Sequence, residues 1–88
     1  MTPETRLKRL RFRACHRGTK EADLLIGGFA DRYSAGWAAA EVAWFEALLD
    51  EDDVDIMAWA IGTEPPPERW QGTIMAALHT LNYVPIAN

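Results

Sequence analysis

The sequence predicts an all-α protein, a compact single-domain bundle of five short helices over residues 1–88. Two observations predict this fold class. Apolar residues recur at helical spacing along the chain, and no segment shows the period-two alternation that is typical of a half-buried strand. The composition agrees, because 88 residues that are 49% hydrophobic and 25% charged are typical of one folded domain rather than a disordered chain. The connecting segments are too short to separate two domains.

The first two helices are predicted on either side of Gly18. Apolar residues at positions 7, 10 and 14 predict a helix over residues 4–16, and Gly18 can end it because glycine readily adopts positive φ. Gly27 and Gly28 interrupt the second helix, where each costs about 1 kcal/mol relative to alanine. Either a neighbouring helix packs closely there or the helix bends. The apolar stripe of this second helix consists of Ala22, Leu25, Ile26, Phe29 and Tyr33.

Three further helices are predicted in the rest of the chain. The third covers residues 37–49, and Asp52 or Asp53 can cap the fourth by accepting backbone N–H bonds. Gly62 closes the fourth helix, and three prolines at 65–67 form a stiff connector whose last member can occupy a first helical position. The fifth helix ends near Asn82, and residues 83–88 are expected to be frayed or docked. The apolar stripes are Ala38, Val42, Phe45 and Leu49 in the third helix; Val54, Met57, Ala58 and Ile61 in the fourth; and Trp70, Ile74, Ala77 and Leu81 in the fifth.

Charge is distributed unevenly between the start of the chain and the remainder. Residues 1–20 hold seven basic residues and one acid, a net charge of +6, whereas residues 21–88 hold two basic residues and twelve acids, a net charge of −10. One interpretation is a solvated face that partly neutralises acidic neighbours in the same chain. The other is a steering surface for an acidic partner, because opposed potentials speed encounter. Nucleic acid is a weaker choice, since the acidic body would repel phosphate.

No residue pattern indicates a catalytic centre or a metal site. Cys15 and His16 are adjacent, so their side chains point about 100° apart on a helix, and the other histidine, His79, is far along the chain. A Cys15–His79 nucleophile pair is conceivable, but a lone cysteine is more often a small buried residue. No glycine-rich phosphate loop is present. We therefore expect a binding or accessory module, not an enzyme, with no metal.

Targeting features are also missing from the sequence. It contains no run of about 18 uncharged apolar residues that would predict a membrane span, and no apolar core of a secretory signal at its start. The single cysteine cannot form an internal disulfide and suits a reducing compartment. These observations predict a bacterial cytoplasmic protein without membrane insertion. We also expect the chain to be monomeric on its own, although no residue pattern addresses self-association.

The turn between the first two helices is the most informative stretch, because it presents Arg17 and Glu21 on either side of Gly18. Without a side chain at Gly18, the backbone of another protein can approach closely. Arg17 can make a forked contact with a carboxylate or carbonyl group, and Glu21 can accept hydrogen bonds. The alternative is local: a helix end, an acid that matches the helix dipole, and an internal Arg17–Glu21 ion pair.

This stretch resembles the Arg-Gly-x-x-Glu motif of the succinate dehydrogenase assembly factor family, the bacterial flavinylation factors and their mitochondrial relatives. The motif stands here as Arg17-Gly18-Thr19-Lys20-Glu21, preceded by Ala14-Cys15 and followed by Asp23. A second block, Leu48-Leu49 through Asp52-Asp53-Val54-Asp55-Ile56 to Trp59, also resembles the family. The resemblance covers residues 6–62, and the C-terminal third, with its three prolines, departs from the pattern.

The resemblance implies a five-helix assembly factor that promotes covalent FAD attachment to the flavoprotein subunit of succinate dehydrogenase, and in bacteria also of fumarate reductase. The flavin is joined to a histidine of that client subunit, so FAD belongs to the client and no cofactor is bound stably here. The resemblance also implies that Arg17, Gly18 and Glu21 bind the client subunit, and Asp23 with them. As neighbours of the motif, Arg13 and His16 are expected at the same surface.

Two other functions remain open from the sequence. A regulatory or antitoxin-like protein could use the same basic segment to sequester another protein, an assignment that has been attached to some relatives. A small nucleic-acid binder would instead show salt-dependent affinity for DNA or RNA. The flavinylation factor is the leading hypothesis, because chemistry held by the client explains why this chain has no nucleotide loop or catalytic triad.

Overall fold

A computed structural model describes residues 2–81, and these residues form five α-helices connected by short turns. No strand occurs among them, so the all-α prediction is confirmed. The radius of gyration is 12.2 Å, close to the roughly 12 Å expected for a compact domain of this size. The predicted helix end near Asn82 and the frayed or docked tail lie outside the described residues. No helix within residues 2–81 is long and apolar enough to cross a membrane.

The first helix, α1, covers Pro3–Cys15, within one residue of its predicted bounds. Thr2 caps it by accepting a hydrogen bond from the backbone N–H of Thr5, and Pro3 fits the first helical position because its missing N–H would have no partner there. Arg6 forms two hydrogen bonds with the Glu46 carboxylate, at 3.0 and 2.7 Å, and so ties α1 to the third helix.

The second helix, α2, begins as Lys20–Ala22, passes through a π-helical segment at Asp23–Gly27 and continues as Gly28–Tyr33. Of the two explanations for its glycines, close packing is confirmed: α1 packs very closely at Gly27. A Cβ atom added at Gly27 would lie 2.6 Å from the Cys15 Sγ and 2.9 Å from the Cys15 Cα. Glycine at position 27 therefore allows α1 and α2 to touch.

Helices α3, α4 and α5 complete the fold as Ala39–Leu48, Asp53–Ile61 and Thr73–Leu81. The α4 cap corrects one expectation: Asp52 occupies the N-cap position, but its side chain accepts no capping hydrogen bond. Gly62 closes α4 in the left-handed conformation, as predicted, with φ +98°. Pro67 precedes a 3-10 turn, Glu68–Trp70, as its N-cap rather than as a first helical residue.

All five helices contribute to one apolar core. Residues predicted from periodicity fill much of it: Leu10 and Ala14 from α1, with Phe29, Phe45 and Ile74 from later helices, are buried. Among residues 2–79, Ser34 is the one polar residue that is buried, and its hydroxyl accepts a hydrogen bond of 3.0 Å from Arg11 Nε. Because the hydroxyl has this partner, its burial carries no penalty for an unmade hydrogen bond.

The fourth apolar stripe lies on the opposite side of its helix from the one expected. The core side of α4 is formed by Ile56, Trp59 and Ala60. Val54 is 79% exposed and Ile61 is 55% exposed, so both ends of the predicted stripe face away from the core, while Met57 is partly buried and packs against it. The helix is apolar on both sides, and periodicity alone does not tell which side packs inward.

Candidate functional site

The turn between α1 and α2, residues 16–19, is shaped by Gly18 and Thr19. Gly18 has φ +112°, a conformation that favours glycine because it has no Cβ. Thr19 is the N-cap of α2, and its Oγ1 accepts a hydrogen bond of 3.2 Å from the Ala22 backbone N–H. The two residues fix the direction in which the chain leaves α1 and enters α2. We refer to residues 16–21 as the junction.

The Arg17 side chain points into the fold and connects the junction to the start of α4. Its Nε donates a hydrogen bond of 2.7 Å to Asp53 Oδ1, and its Nη2 donates to the backbone carbonyls of Leu49 at 2.8 Å and Glu51 at 3.3 Å. The side chain is 11% exposed, and that of Asp53 is 26% exposed. The guanidinium is therefore used inside the chain and is not free for the forked contact with a partner that the sequence suggested.

Asp23 holds the same turn from its other side. Its Oδ1 accepts a hydrogen bond of 2.5 Å from the Arg17 backbone N–H. Arg17 lies in the turn between two helices, so this N–H group has no partner within a helix. The alternative of an Arg17–Glu21 ion pair is also wrong, because Arg17 pairs with Asp53. The turn is thus fixed through both the backbone and the side chain of Arg17.

Gly18 and Glu21 form the outward part of the junction. Both are exposed, and a Cβ added at Gly18 would meet no atom within 4 Å. The Glu21 side chain makes no hydrogen bond or ion pair with any residue between 2 and 81. An uncommitted carboxylate therefore stands beside a backbone that another molecule can approach. This geometry agrees with the sequence expectation for these two positions.

Arg13 and His16 lie next to the junction with local partners of their own. Arg13 forms an ion pair of 2.6 Å with Asp50 at the surface. His16 is exposed and stacks on Phe12, with ring centroids 4.0 Å apart. Its Nδ1 lies 2.7 Å from the Phe12 carbonyl oxygen. Because a carbonyl oxygen only accepts, this hydrogen bond requires the tautomer that carries its hydrogen on Nδ1. The stacked pair of rings forms an exposed aromatic surface beside the turn. A binding role for Arg13 and His16 stays a prediction.

Much of the basic first segment neutralises acids of the same chain. Three of its arginines form ion pairs with three carboxylates of the body, namely Arg6 with Glu46, Arg13 with Asp50, and Arg17 with Asp53. This is the first of the two interpretations of the uneven charge. Of the other four basic residues, Arg11 donates to the buried Ser34 hydroxyl, and those at positions 8, 9 and 20 are exposed, so a smaller positive surface is left for steering.

Cys15 and His79 are each engaged locally. The Cys15 Sγ lies 4.0 Å from the Asp31 carboxylate, and partial burial, with the negative charges of Asp31 and Asp23, raises the pKa of the thiol. His79 Nδ1 lies 3.0 Å from the Ala60 carbonyl, and its ring packs against Gly62. Neither residue has the environment of an activated nucleophile. Over residues 2–81, no group of three or more His, Cys, Asp or Glu side chains is arranged to hold a metal ion.

Comparison with known proteins identifies the family of this chain. The family model described as "Flavinator of succinate dehydrogenase" matches residues 8–82. The chain belongs to this flavinator family. The match extends through the C-terminal third, which the motif resemblance had left outside, so the proline connector and α5 are part of the family domain as well.

Individual relatives of the flavinator family support the same assignment. The chain is 43% identical over 63 residues to the FAD assembly factor SdhE of Acetobacter pasteurianus, an alignment that covers 72% of this chain and 58% of the relative. It is 42% identical over 67 residues to succinate dehydrogenase assembly factor 2, mitochondrial, of Mycosarcoma maydis, covering 76% and 28%. With the protein of the same name from Yarrowia lipolytica, identity is 37% over 82 residues, covering 89% and 57%. The chain thus spans between about a quarter and three fifths of the length of these relatives.

Sequence reasoning missed the role of Asp53 in the candidate site. It was considered as a helix cap and quoted in the second block of the resemblance, yet it is the carboxylate that binds Arg17. The two residues are 36 positions apart, and several other acids lie nearby in the sequence, so spacing offered no way to choose. The signal was present in the second block of the family resemblance, which places an Asp-Asp pair at a similar separation from the motif.

Proposed function

We propose that this chain is an assembly factor that binds the flavoprotein subunit of succinate dehydrogenase and promotes covalent attachment of FAD to that subunit. Membership of the flavinator family supports this function, as do relatives named as FAD or succinate dehydrogenase assembly factors. One observation supports a particular binding surface for this function. Gly18 and Glu21 are exposed and make no side-chain contact, and they lie on a turn that Arg17 fixes through its hydrogen bond with Asp53.

The chain acts as a binder and the client subunit holds the chemistry. FAD and the histidine that receives it belong to the flavoprotein, and this chain stabilises the client conformation in which the two are aligned. A binder can shift a conformational equilibrium only by its differential affinity for the two states. The factor therefore needs a rigid, complementary surface and no cofactor of its own, and we expect it to be a monomer without enzymatic activity when isolated.

The same surface serves the flavoprotein subunit of fumarate reductase as a second client. The expected setting is the bacterial cytoplasm, for which the bacterial relative is the support. No observation on residues 2–81 favours the regulatory or antitoxin-like function, and the names of the relatives favour the assembly factor. That the chain does not bind nucleic acid stays a prediction, based on the net negative charge of residues 21–88, which would repel phosphate.

The test is covalent flavin on the flavoprotein subunit, read as flavin fluorescence in a denaturing gel. The subunit is produced with the wild-type chain, with Glu21→Gln or with Glu4→Gln. Glu4 is the matched control, because it is also exposed and lies at the far end of α1, about 16 Å of helix from the junction. We expect Glu21→Gln to lose most of the covalent flavin and Glu4→Gln to keep it. Equal flavin with all three chains, at equal protein levels, counts against the proposal.

A further inference from the structure

Helix α4 carries an apolar strip that the fold buries only in part, since Met57 packs against the core from its edge while Val54 and Ile61 stay exposed. Val54, Met57, Ala58 and Ile61 follow the spacing i, i+3, i+4 and i+7, which places them on one side of a helix. The opposite side, with Ile56 and Trp59, is the one that packs into the core. We call the four outward residues the outer strip of α4.

The outer strip is exposed and forms one wall of a shallow groove. Val54 and Ile61, at its two ends, are 79% and 55% exposed, and Met57 and Ala58 between them are half-buried. The groove has a volume of about 370 Å³ and is completed by Thr19, Asp53 and Thr63. Large apolar side chains grouped on the surface of a small protein are typical of a contact site.

The groove is continuous with the junction. Thr19, which lines the groove, is the N-cap of α2 and stands between Gly18 and Glu21. Asp53, which also lines it, is the carboxylate that holds Arg17. Because the Arg17–Asp53 contact joins α4 to the turn, the outer strip and the exposed carboxylate of Glu21 belong to one connected surface.

We infer that the outer strip of α4 is the apolar half of the surface that binds the flavoprotein subunit, and that it receives an apolar segment of that subunit. The inference rests on the proposed function, since it names a further part of the same binding surface. Protein interfaces combine an apolar centre with a polar rim, and the strip with Glu21 and Gly18 supplies both. Neither Glu21 nor Gly18 alone offers apolar area.

The size of the strip argues against a second copy of this chain as its occupant. A stable dimer buries about 800 Å² per partner. Four side chains of this kind expose on the order of 300 Å², which is small for a dimer by itself. Together with the exposed surface of the neighbouring junction, the outer strip is large enough to form part of one continuous interface with a larger protein.

The experiment measures binding of the full chain to the purified apo-flavoprotein subunit by titration calorimetry. Val54→Gln and Ile61→Gln remove apolar surface without adding charge near the Arg17–Asp53 pair, and glutamine is well tolerated in helices. Leu24→Gln is the matched control, because Leu24 is a third exposed apolar side chain, on α2, that does not line the groove. Thermal unfolding of each variant verifies that the fold is kept.

We expect Val54→Gln and Ile61→Gln each to weaken binding about tenfold, the loss that follows when one buried aliphatic side chain is removed from an interface. The heat-capacity change of binding should become less negative, because less apolar surface is buried. Leu24→Gln should bind as the wild type does.

Three results overturn the inference in different ways. If both strip variants bind normally while Glu21→Gln does not, the strip lies outside the interface and the proposed function survives. If the wild-type chain does not bind the flavoprotein subunit, the proposed function and the inference both fail. If sedimentation shows self-association that the strip variants abolish while client binding is unchanged, the strip is a contact between copies of this chain.

Discussion

Arg17 and Asp53 form an ion pair, with 2.7 Å between Nε and Oδ1, that joins the turn after α1 to the first residue of α4. The same guanidinium also donates to the carbonyls of Leu49 and Glu51, so it closes the turn that leads into α4. Arg17 is therefore a positioning residue, since its contacts lie inside the chain and fix the backbone next to Gly18.

Removing the Arg17–Asp53 pair should destabilise the whole domain. Asp53→Asn leaves a mostly buried guanidinium without its counter-ion, and we expect a loss of about 2 kcal/mol in the free energy of unfolding. Arg13→Gln is the control, because it removes an ion pair whose Arg13 and Asp50 side chains are 35% and 74% exposed and should cost less than about 1 kcal/mol. Urea unfolding measures both, and equal losses would refute a special role for Arg17.

Alanine substitutions at three glycines should show whether backbone strain or steric crowding lowers the free energy of unfolding. Gly18→Ala should cost about 1–2 kcal/mol through its positive φ alone, because the site has open space. Gly27→Ala should also destabilise, by about 1–3 kcal/mol, since its Cβ would lie 2.6 Å from the Cys15 Sγ. Gly36, with neither a positive φ nor a neighbour within 4 Å, is the control, and Gly36→Ala should be close to neutral.

The Gly18 geometry also changes the design of a binding test. From the sequence, Gly18→Arg is expected to leave the helical fold intact and to lower covalent flavin in the client. With φ +112°, any side chain at this position strains the turn, so loss of function there would combine two effects. Glu21→Gln is the cleaner variant, because the Glu21 side chain has no partner among residues 2–81.

The Arg6–Glu46 contact should make stability depend on acid pH. The hydrogen bonds from Arg6 lower the pKa of Glu46 below its usual value, and the ion pair adds to this effect. A carboxyl group with a lowered folded-state pKa stabilises the fold above its unfolded pKa of about 4.3 and loses that contribution as the pH falls through the folded value. The stability difference between the wild type and Glu46→Gln should therefore be largest near pH 7 and shrink below about pH 4.3.

Unfolding measured from pH 7 to pH 3 tests this expectation. Glu4→Gln is the control, because Glu4 is exposed and no ion pair with it occurs among residues 2–81. A difference for Glu46→Gln that grows as the pH falls would contradict the assignment.

Cys15 should react slowly with alkylating reagents. Burial raises the pKa of its thiol, and the carboxylates of Asp31 and Asp23 raise it further, so little thiolate is present at neutral pH. Asp31→Asn removes one of these charges and should speed alkylation at pH 8 while leaving it slower than that of a free cysteine. The rate of iodoacetamide labelling measures this, and a wild-type rate above that of free cysteine would reject the account.

The helices could be predicted from the sequence, but the side of α4 that packs inward could not. Periodicity located α1 to within one residue, because the apolar spacing and the stop at Gly18 agree. In α4 the residues around Val54 have the same spacing as a core stripe, while Ile56 and Trp59 offer a second apolar side. Only the placement of the other helices decides between the two.

The position of the candidate site could be predicted from the sequence, but the contacts of its residues could be predicted only in part. The order of Arg17, Gly18 and Glu21 located the turn correctly, and Gly18 lies open, as expected. The partner of Arg17 depends on contacts between residues 36 positions apart, which spacing along one chain does not encode. Of the local alternative, the helix end before Gly18 and the acid in the first turn of α2 are confirmed, whereas the ion pair between Arg17 and Glu21 is wrong.

Hydrogen exchange of the chain with and without the apo-flavoprotein subunit tests most directly whether the outward side of the junction is the binding surface. The first backbone N–H groups of α2 have no carbonyl partner within their helix, so those at positions 19–21 should exchange quickly in the free chain. We predict that binding slows exchange at residues 18–21 and along the outer strip of α4, and leaves the first turn of α1 unchanged. Protection confined to residues outside the junction and α4 would contradict the account.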